Sequence, residues 1–188
     1  IREVTINVSL HQSGFPVNTS EIKASPLVID LDGDGDDEII MGDNNGFVHI
    51  YNADGSEVED DTFPYDTGNQ IWGSAAAADL DNDGMDEVIS SDKGGFIHVF
   101  EMDGTEWNTE LFPYYTGDQN WGSPAVSDLD GDGADDVVVS SKNGHIYIFD
   151  YTGLKTNFNS AGYVTATPAL GDIDGDGKMD IIANTGTK

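Results

Sequence analysis

The nine residues 30–38, with the sequence DLDGDGDDE, occur in nearly the same form three more times along the chain. The other copies are DLDNDGMDE at 79–87, DLDGDGADD at 128–136 and DIDGDGKMD at 172–180. The copies begin 49, 49 and 44 residues apart. A regular period of this length predicts one supersecondary unit per repeat, as in propellers and solenoids. These four segments are called loops 1 to 4.

Positions around the loops keep the same register. A Ser or Thr stands five residues before the first Asp of each loop, at Ser25, Ser74, Ser123 and Thr167. A short apolar block precedes each loop and another follows it, which predicts two strands joined through the loop. Alternating apolar residues at 47–51, 96–100 and 145–149 predict a third strand. A fourth, less regular strand is expected around 63–65 and the equivalent positions, and no segment has the apolar period of a helix.

Four short antiparallel strands in a unit of this size form the blade of a β-propeller. The predicted fold is therefore all-β, a single propeller region with three full blades and two half blades. The full blades are 24–72, 73–121 and 122–165, the outer end of a preceding blade is 1–23, and the inner half of a following blade is 166–188.

The number of blades leaves two ways to complete the ring. Because closed rings usually have four to eight blades, we expect these blades to be an arc of a larger propeller. In the alternative, the two ends combine into a fourth blade through a ladder between strands near Ile6 and Ile181. The chain starts at Ile1 rather than Met, so we also expect the remainder of a longer parent chain.

Each loop has the spacing of an oxygen-ligand metal site. Carboxylates stand at its first, third, fifth and ninth positions, a glycine at the sixth allows a sharp bend, and the carbonyl of the seventh residue adds an oxygen. Such a set fits the six to eight hard oxygen ligands of Ca²⁺ better than the strict octahedron of Mg²⁺. The candidate ligands are Asp30, Asp32, Asp34, Asp36 and Glu38; Asp79, Asp81, Asp83, Met85 and Glu87; Asp128, Asp130, Asp132, Ala134 and Asp136; and Asp172, Asp174, Asp176, Lys178 and Asp180. About four Ca²⁺ sites are predicted, one per loop.

An EF-hand begins with the same alternation of acids, but it needs a bidentate Glu at the twelfth position and flanking helices. The twelfth residues here are Met41, Ser90, Val139 and Ala183. Predicted strands follow directly, so the EF-hand and dockerin interpretations fail.

The charge balance restricts the partners. The chain has 36 Asp and Glu against seven Lys and Arg, a formal net charge of −29, so we expect no nucleic acid and no anionic membrane surface as a partner. It has no Cys, which excludes disulfides and thiolate metal sites. No apolar run approaches the length of a membrane span, so no membrane insertion is expected.

At these residues the chain resembles the FG-GAP (VCBS-type) repeats of integrin α-chain propellers and of many secreted bacterial proteins, over essentially its whole length. In that family a loop of the form D-x-D-x-D-G-x-x-D/E joins the first two strands of a blade and binds Ca²⁺, so the resemblance implies calcium at the loops. The Phe-Gly element stands here as Trp72-Gly73 and Trp121-Gly122, and Met41-Gly42 alone keeps the glycine of Gly-Ala-Pro. This departure places the chain nearer to the bacterial repeats.

Two classes of function remain open. The first is a calcium-binding module of a secreted or cell-surface protein, which acts in protein or carbohydrate binding, in adhesion or as a scaffold. The alternative is the propeller portion of a secreted enzyme such as a polysaccharide lyase. No acid, base or nucleophile cluster breaks the repeat symmetry, so no catalytic residue is predicted. His49 and His98 are expected on blade faces, and Trp72 and Trp121 between blades or stacked on sugars.

Overall fold

The computed structural model describes residues 14, 15, 17–58 and 63–186, and these form strands joined by turns and loops. The strands are β1 Leu27–Ile29, β2 Glu38–Gly42, β3 Phe47–Tyr51, β4 Tyr65–Asp66, β5 Ala76–Ala78, β6 Glu87–Ser91, β7 Phe96–Phe100, β8 Tyr114–Tyr115, β9 Ala125–Ser127, β10 Asp136–Ser140, β11 His145–Asp150, β12 Gly153–Asn159, β13 Ala169–Gly171 and β14 Asp180–Ile182. The predicted all-β class is confirmed.

The strands form three four-stranded sheets and one two-stranded sheet, all antiparallel. The orders are β1-β2-β3-β4 in blade 1, β5-β6-β7-β8 in blade 2, β9-β10-β11-β12 in blade 3 and β13-β14 in half-blade 4. Each acidic loop joins the first two strands of its sheet, as predicted. The alternative, a ladder that would close the ring through Ile6, lies outside the described residues.

The fourth strand of each blade differs from the expectation. In blades 1 and 2 it has only two residues, Tyr65–Asp66 and Tyr114–Tyr115, and begins at the last residue of the expected segment. In blade 3 the position equivalent to 63–65 carries no strand, and the seven residues Gly153–Asn159 pair with β11 instead. Two-residue ladders leave too few residues for a period-two pattern, which is why the sequence signal is weak there.

The apolar core lies between neighbouring blades, because both faces of the middle strands are covered. Val88 of β6 packs in a cluster with Ile40 and Ile50 of blade 1, whereas the next residue, Ile89, packs in a cluster with Val137 and Val139 of blade 3. Successive side chains of a strand point to opposite faces. One strand therefore serves two interfaces, and all five residues of β6 are buried.

The inner strands β5 and β9 lie side by side, as do β9 and β13, and β5 is built only of alanine. Small side chains let the blades converge there. Hydrogen bonds join the blades at this point: the backbone N–H of Ser25 donates to Ser74 Oγ at 3.0 Å, that of Ser74 to Ser123 Oγ at 2.8 Å, and that of Ser123 to Thr167 Oγ1 at 2.9 Å. The recurring Ser and Thr thus form an inter-blade belt.

Half-blade 4 is less covered than the full blades. Ile182 is 40 % exposed, while the equivalent residues Ile40, Ile89 and Val138 are 0 % exposed. Ile173 is 69 % exposed, against 1 % for the equivalent Leu80. Half-blade 4 therefore carries apolar residues at the same positions as the full blades, but these residues are more exposed. Among the described residues, no helix has the length and apolar composition needed to cross a bilayer.

Candidate metal centres

The four acidic loops bring carboxylate oxygens together in the same way. In each loop, one oxygen from the first, third and ninth residues lies within 4.8 Å of the others. The groups are Asp30, Asp32 and Glu38; Asp79, Asp81 and Glu87; Asp128, Asp130 and Asp136; and Asp172, Asp174 and Asp180. Three acids at one point in four copies form a repeated candidate cation site.

The ninth acid is the first residue of the second strand of each blade, and it also closes the loop. Its Oε2 or Oδ2 atom accepts the backbone N–H of the second loop residue, at 3.0 Å from Leu31, 2.8 Å from Leu80, 3.0 Å from Leu129 and 3.0 Å from Ile173. Glu38, Glu87 and Asp136 are buried, whereas Asp180 is exposed. In loops 1, 2 and 4 the other carboxylate oxygen stays available for a cation, whereas in loop 3 Oδ1 of Asp136 contacts Lys155.

A hydrogen bond joins the fifth and seventh residues of each loop. Asp34 Oδ1 accepts the backbone N–H of Asp36 at 2.8 Å, and the same turn joins Asp83 to Met85, Asp132 to Ala134 and Asp176 to Lys178. The fifth carboxylates do not belong to the groups of close oxygens. Their ligand role, and that of the seventh carbonyls, stays a prediction.

The glycine at the sixth position has the conformation that the spacing predicted. The φ angles of Gly35, Gly84, Gly133 and Gly177 are 96°, 94°, 97° and 86°. A Cβ at any of these glycines would meet nothing within 4 Å, so the requirement comes from the left-handed backbone and not from crowding.

The donor set fits a hard cation. Oδ1 of Asp30 is buried and has no hydrogen-bond partner, which is costly for a carboxylate oxygen unless a cation or donor approaches it. Burial, aided by the charges of Asp81, Glu101 and Asp79, raises the pKa of Glu87 to about 7. Burial and the neighbouring acids likewise raise the pKa of Glu38. Ca²⁺ would be held by the first, third and ninth carboxylates, and its charge would offset their repulsion.

Loop 3 differs from the others because a lysine reaches it. Lys155 Nζ lies 2.6 Å from Asp130 Oδ2, 3.3 Å from Asp136 Oδ1 and 3.6 Å from Asp150 Oδ2. The hydrogen bond to Asp130 raises the pKa of Lys155 and lowers that of Asp130. No sequence signal marks Lys155, since it lies outside the loop repeat and belongs to no motif.

At the opposite end of the inner strands, tryptophans alternate with lysines. The ring centroids of Trp72 and Trp121 are 5.4 Å apart. The Trp72 centroid lies 3.6 Å from Lys93 Nζ and 4.9 Å from Lys23 Nζ. The Trp121 centroid lies 4.9 Å from Lys142 Nζ. These five residues are called the Trp–Lys strip. Both tryptophans are partly exposed and span neighbouring blades, so they pack between blades as expected and still present a surface.

His49 and His98 lie on blade faces, as predicted, and each contacts two acids. Nε2 of His98 is 3.5 Å from Asp92 and its Nδ1 is 3.3 Å from Glu106. Burial lowers the pKa of His98, but the two acids raise it more. His49 stands in the same way between Asp43 and Glu57. Ser140 and Ser91 donate to backbone carbonyls of the next blade, so they join blades.

Comparisons with known proteins agree with this architecture. BBS1N in complex with ARL6DN has a TM-score of 0.61 at 14 % identity over 92 % of this chain and 53 % of its own. The computationally designed Ika4 protein has a TM-score of 0.59 at 17 % identity over 94 % of this chain and 99 % of its own. BamB from Moraxella catarrhalis has a TM-score of 0.56 at 14 % identity over 87 % of this chain and 44 % of its own. These likenesses show the propeller fold alone.

This chain thus spans about half the length of BBS1N and less than half of BamB. No curated protein matches it. The FG-GAP-like repeat family matches residues 30–90, 79–139 and 128–183, which together cover most of the chain, and every match begins at the first aspartate of an acidic loop. The chain belongs to the family of FG-GAP-like repeat proteins and is a β-propeller module of that family.

Proposed function

We propose that this propeller module binds Ca²⁺ in its acidic loops and uses the ions as fixed structural clips. The observation that carries the proposal is the convergence of three carboxylates in each of four loops in one register. Repulsion within each group weakens the loop until a cation compensates it. The ion would join the start of the second strand of a blade, through the ninth residue, to the end of the first strand.

A structural role for the ions also favours a location outside the cell. Loops that act as clips need no sensor-type affinity where calcium is millimolar, so exposed, acid-rich sites of this kind suit a secreted or cell-surface protein. The chain would then serve as a scaffold or adhesion module within a longer parent. Detection of the parent in the cytosol, without an export signal, would contradict this location.

Calcium binding is tested by titration of the metal-free protein and by thermal melts with and without a chelator. At a free calcium level tenfold above the dissociation constant, each site stabilises the fold by about 1.4 kcal/mol, so the melting temperature should fall clearly on chelation. Asp79→Asn should reduce the number of tight ions by one. Asp66→Asn, an exposed acid outside the loops, is the matched control. An identical melt in excess chelator would refute the proposal.

The Trp–Lys strip favours an acidic carbohydrate as the ligand of the module. Indole rings stack on the apolar faces of sugars, and ammonium groups pair with carboxylates. Lys23, Lys93 and Lys142 supply three of the seven basic residues of a chain whose net charge is −29. An anionic ligand would therefore meet least repulsion at this end of the molecule.

Carbohydrate binding is tested with sodium hyaluronate as the acidic probe and dextran as the neutral one. Of the two probes, only hyaluronate should bind. The double variant Trp72→Ala/Lys93→Gln should weaken hyaluronate binding about tenfold, because one stacking contact and one charge contact are lost. Lys178→Gln, at the acidic end, is the charge-matched control. Equal binding of both variants would contradict the assignment. Release of unsaturated sugars in the same assay would instead support the predicted alternative, a polysaccharide lyase.

A further inference from the structure

Blade 3 departs from blades 1 and 2 at three equivalent positions. Blades 1 and 2 carry an Asp, a His and a Glu that contact one another, whereas blade 3 carries a Ser, a Tyr and a Lys. The sets are Asp43, His49 and Glu57; Asp92, His98 and Glu106; and Ser141, Tyr147 and Lys155. Tyr147 donates its hydroxyl to the carbonyl of Thr116 at 2.6 Å. Because Tyr147 replaces the histidine, Lys155, which replaces the glutamate, has no equivalent histidine to contact.

A β-bulge turns Lys155 out of the ordinary pairing. Ile148 is opposite Thr156 and Phe149 is opposite Leu154, so Lys155 is the extra residue of β12. In blades 1 and 2 the equivalent glutamates face Tyr51 and Phe100 directly. An extra residue re-aims the side chain at that point. Lys155 therefore points toward loop 3.

The ammonium of Lys155 contacts carboxylate oxygens that a metal ion in loop 3 would need as ligands. Asp130 and Asp136 are two of the three acids of that group, and Lys155 Nζ is 2.6 Å and 3.3 Å from their oxygens. The Asp136 side chain is only 3 % exposed, so this contact is better shielded than a surface ion pair. A metal ion held by the same oxygens would be repelled by the ammonium charge.

Among the described residues, Lys155 is the only basic side chain that forms an ion pair with a loop carboxylate. At loop 2, the position equivalent to Asp150 is Glu101, a further acid whose charge interacts with those of Asp81 and Asp83. Loop 2 is therefore surrounded by further negative charge, whereas loop 3 is partly neutralised.

We propose that Lys155 is a tethered counter-ion of loop 3, which makes loop 3 a weak, low-occupancy calcium site beside tighter sites in loops 1, 2 and 4. This inference rests on the proposed calcium binding of the loops. It assigns to Lys155 two consequences: blade 3 keeps its loop closed without metal, and the molecule fills its sites in two stages.

The test follows the backbone amides of the sixth-position glycines by NMR while calcium is added to the metal-free protein. Gly35, Gly84 and Gly177 should saturate first, and Gly133 of loop 3 should need at least about tenfold more calcium, the scale of one nearby charge. In Lys155→Met, Gly133 should saturate together with the others. Lys155→Gln, which keeps a polar end, provides a second variant with the same expected shift.

Lys142→Met is the control, because it removes the same charge at the opposite end of the blade. It should leave the order of saturation unchanged. Simultaneous saturation of all four glycines in the unsubstituted protein would overturn the role of Lys155 while leaving calcium binding intact, and so would a delayed Gly133 in both Lys155 variants. No response at any glycine would refute the proposed function itself.

Discussion

At the residue scale, the ninth acid of each loop combines two tasks that usually conflict. Glu87 is 1 % exposed, yet it stands beside Asp79 and Asp81 and accepts the backbone N–H of Leu80. Burial of a carboxylate disfavours its charged form, so its pKa is raised to about 7. A bound proton then reduces the negative charge of this group of acids near neutral pH.

This raised pKa predicts a pH-dependent stability of the calcium-stripped protein. Between the unfolded pKa near 4.5 and the folded pKa near 7, the folded state binds more protons, so the free energy of unfolding should fall as the pH rises through this window. The titration of Glu87 should lower the free energy of unfolding by roughly 3 kcal/mol at most across this window. Urea denaturation at pH 5 and pH 8 measures it.

Glu87→Gln should flatten this dependence, because the amide does not titrate and its oxygen still accepts from Leu80. Glu110→Gln, an exposed glutamate, should leave the slope unchanged. Equal slopes for the unsubstituted protein and for Glu87→Gln would show that Glu87 does not carry the effect.

At the scale of elements, the strands of a blade differ in how well local patterns specify them. The third strands β3 and β7 were predicted at their observed residues, and β2 and β6 were predicted to follow their loops, because alternating or continuous apolar residues mark these strands. The outer strands were predicted less well. The outer strand of blade 1, Tyr65–Asp66, has only two residues. In blade 3 the outer strand β12 lies earlier in the chain than expected and contains a bulge that no composition signal marks.

At the scale of the whole molecule, stability depends on how closely the blades approach one another. The core clusters each draw on two blades, and the inner ends of the blades are close enough that a side chain does not fit. A Cβ at Gly122 would lie 2.7 Å from the carbonyl carbon of Ala166 and from the backbone nitrogen of Thr167. Gly73 approaches Gly122 in the same way.

Gly122→Ala should therefore destabilise the protein by about 1–3 kcal/mol, because the added methyl forces the backbones of blade 3 and half-blade 4 apart. Thermal or urea unfolding in saturating calcium measures the loss. Gly171→Ala is the control, since its Cβ would meet nothing within 4 Å. A loss no larger than that of the control would mean that the junction yields without cost.

The sequence by itself determined the repeat, the blade register, the strand pairs around each loop, the sixth-position glycines and the acids of the candidate sites. These features depend on residues adjacent in the chain or on a period, so local patterns contain them. Only the tertiary structure decided that Lys155 enters loop 3, that the Trp–Lys strip forms across blades, and that Ser25, Ser74, Ser123 and Thr167 form a belt. Each of these requires neighbours brought together from distant parts of the chain, or a one-residue bulge that redirects a side chain, and neither is encoded in local spacing.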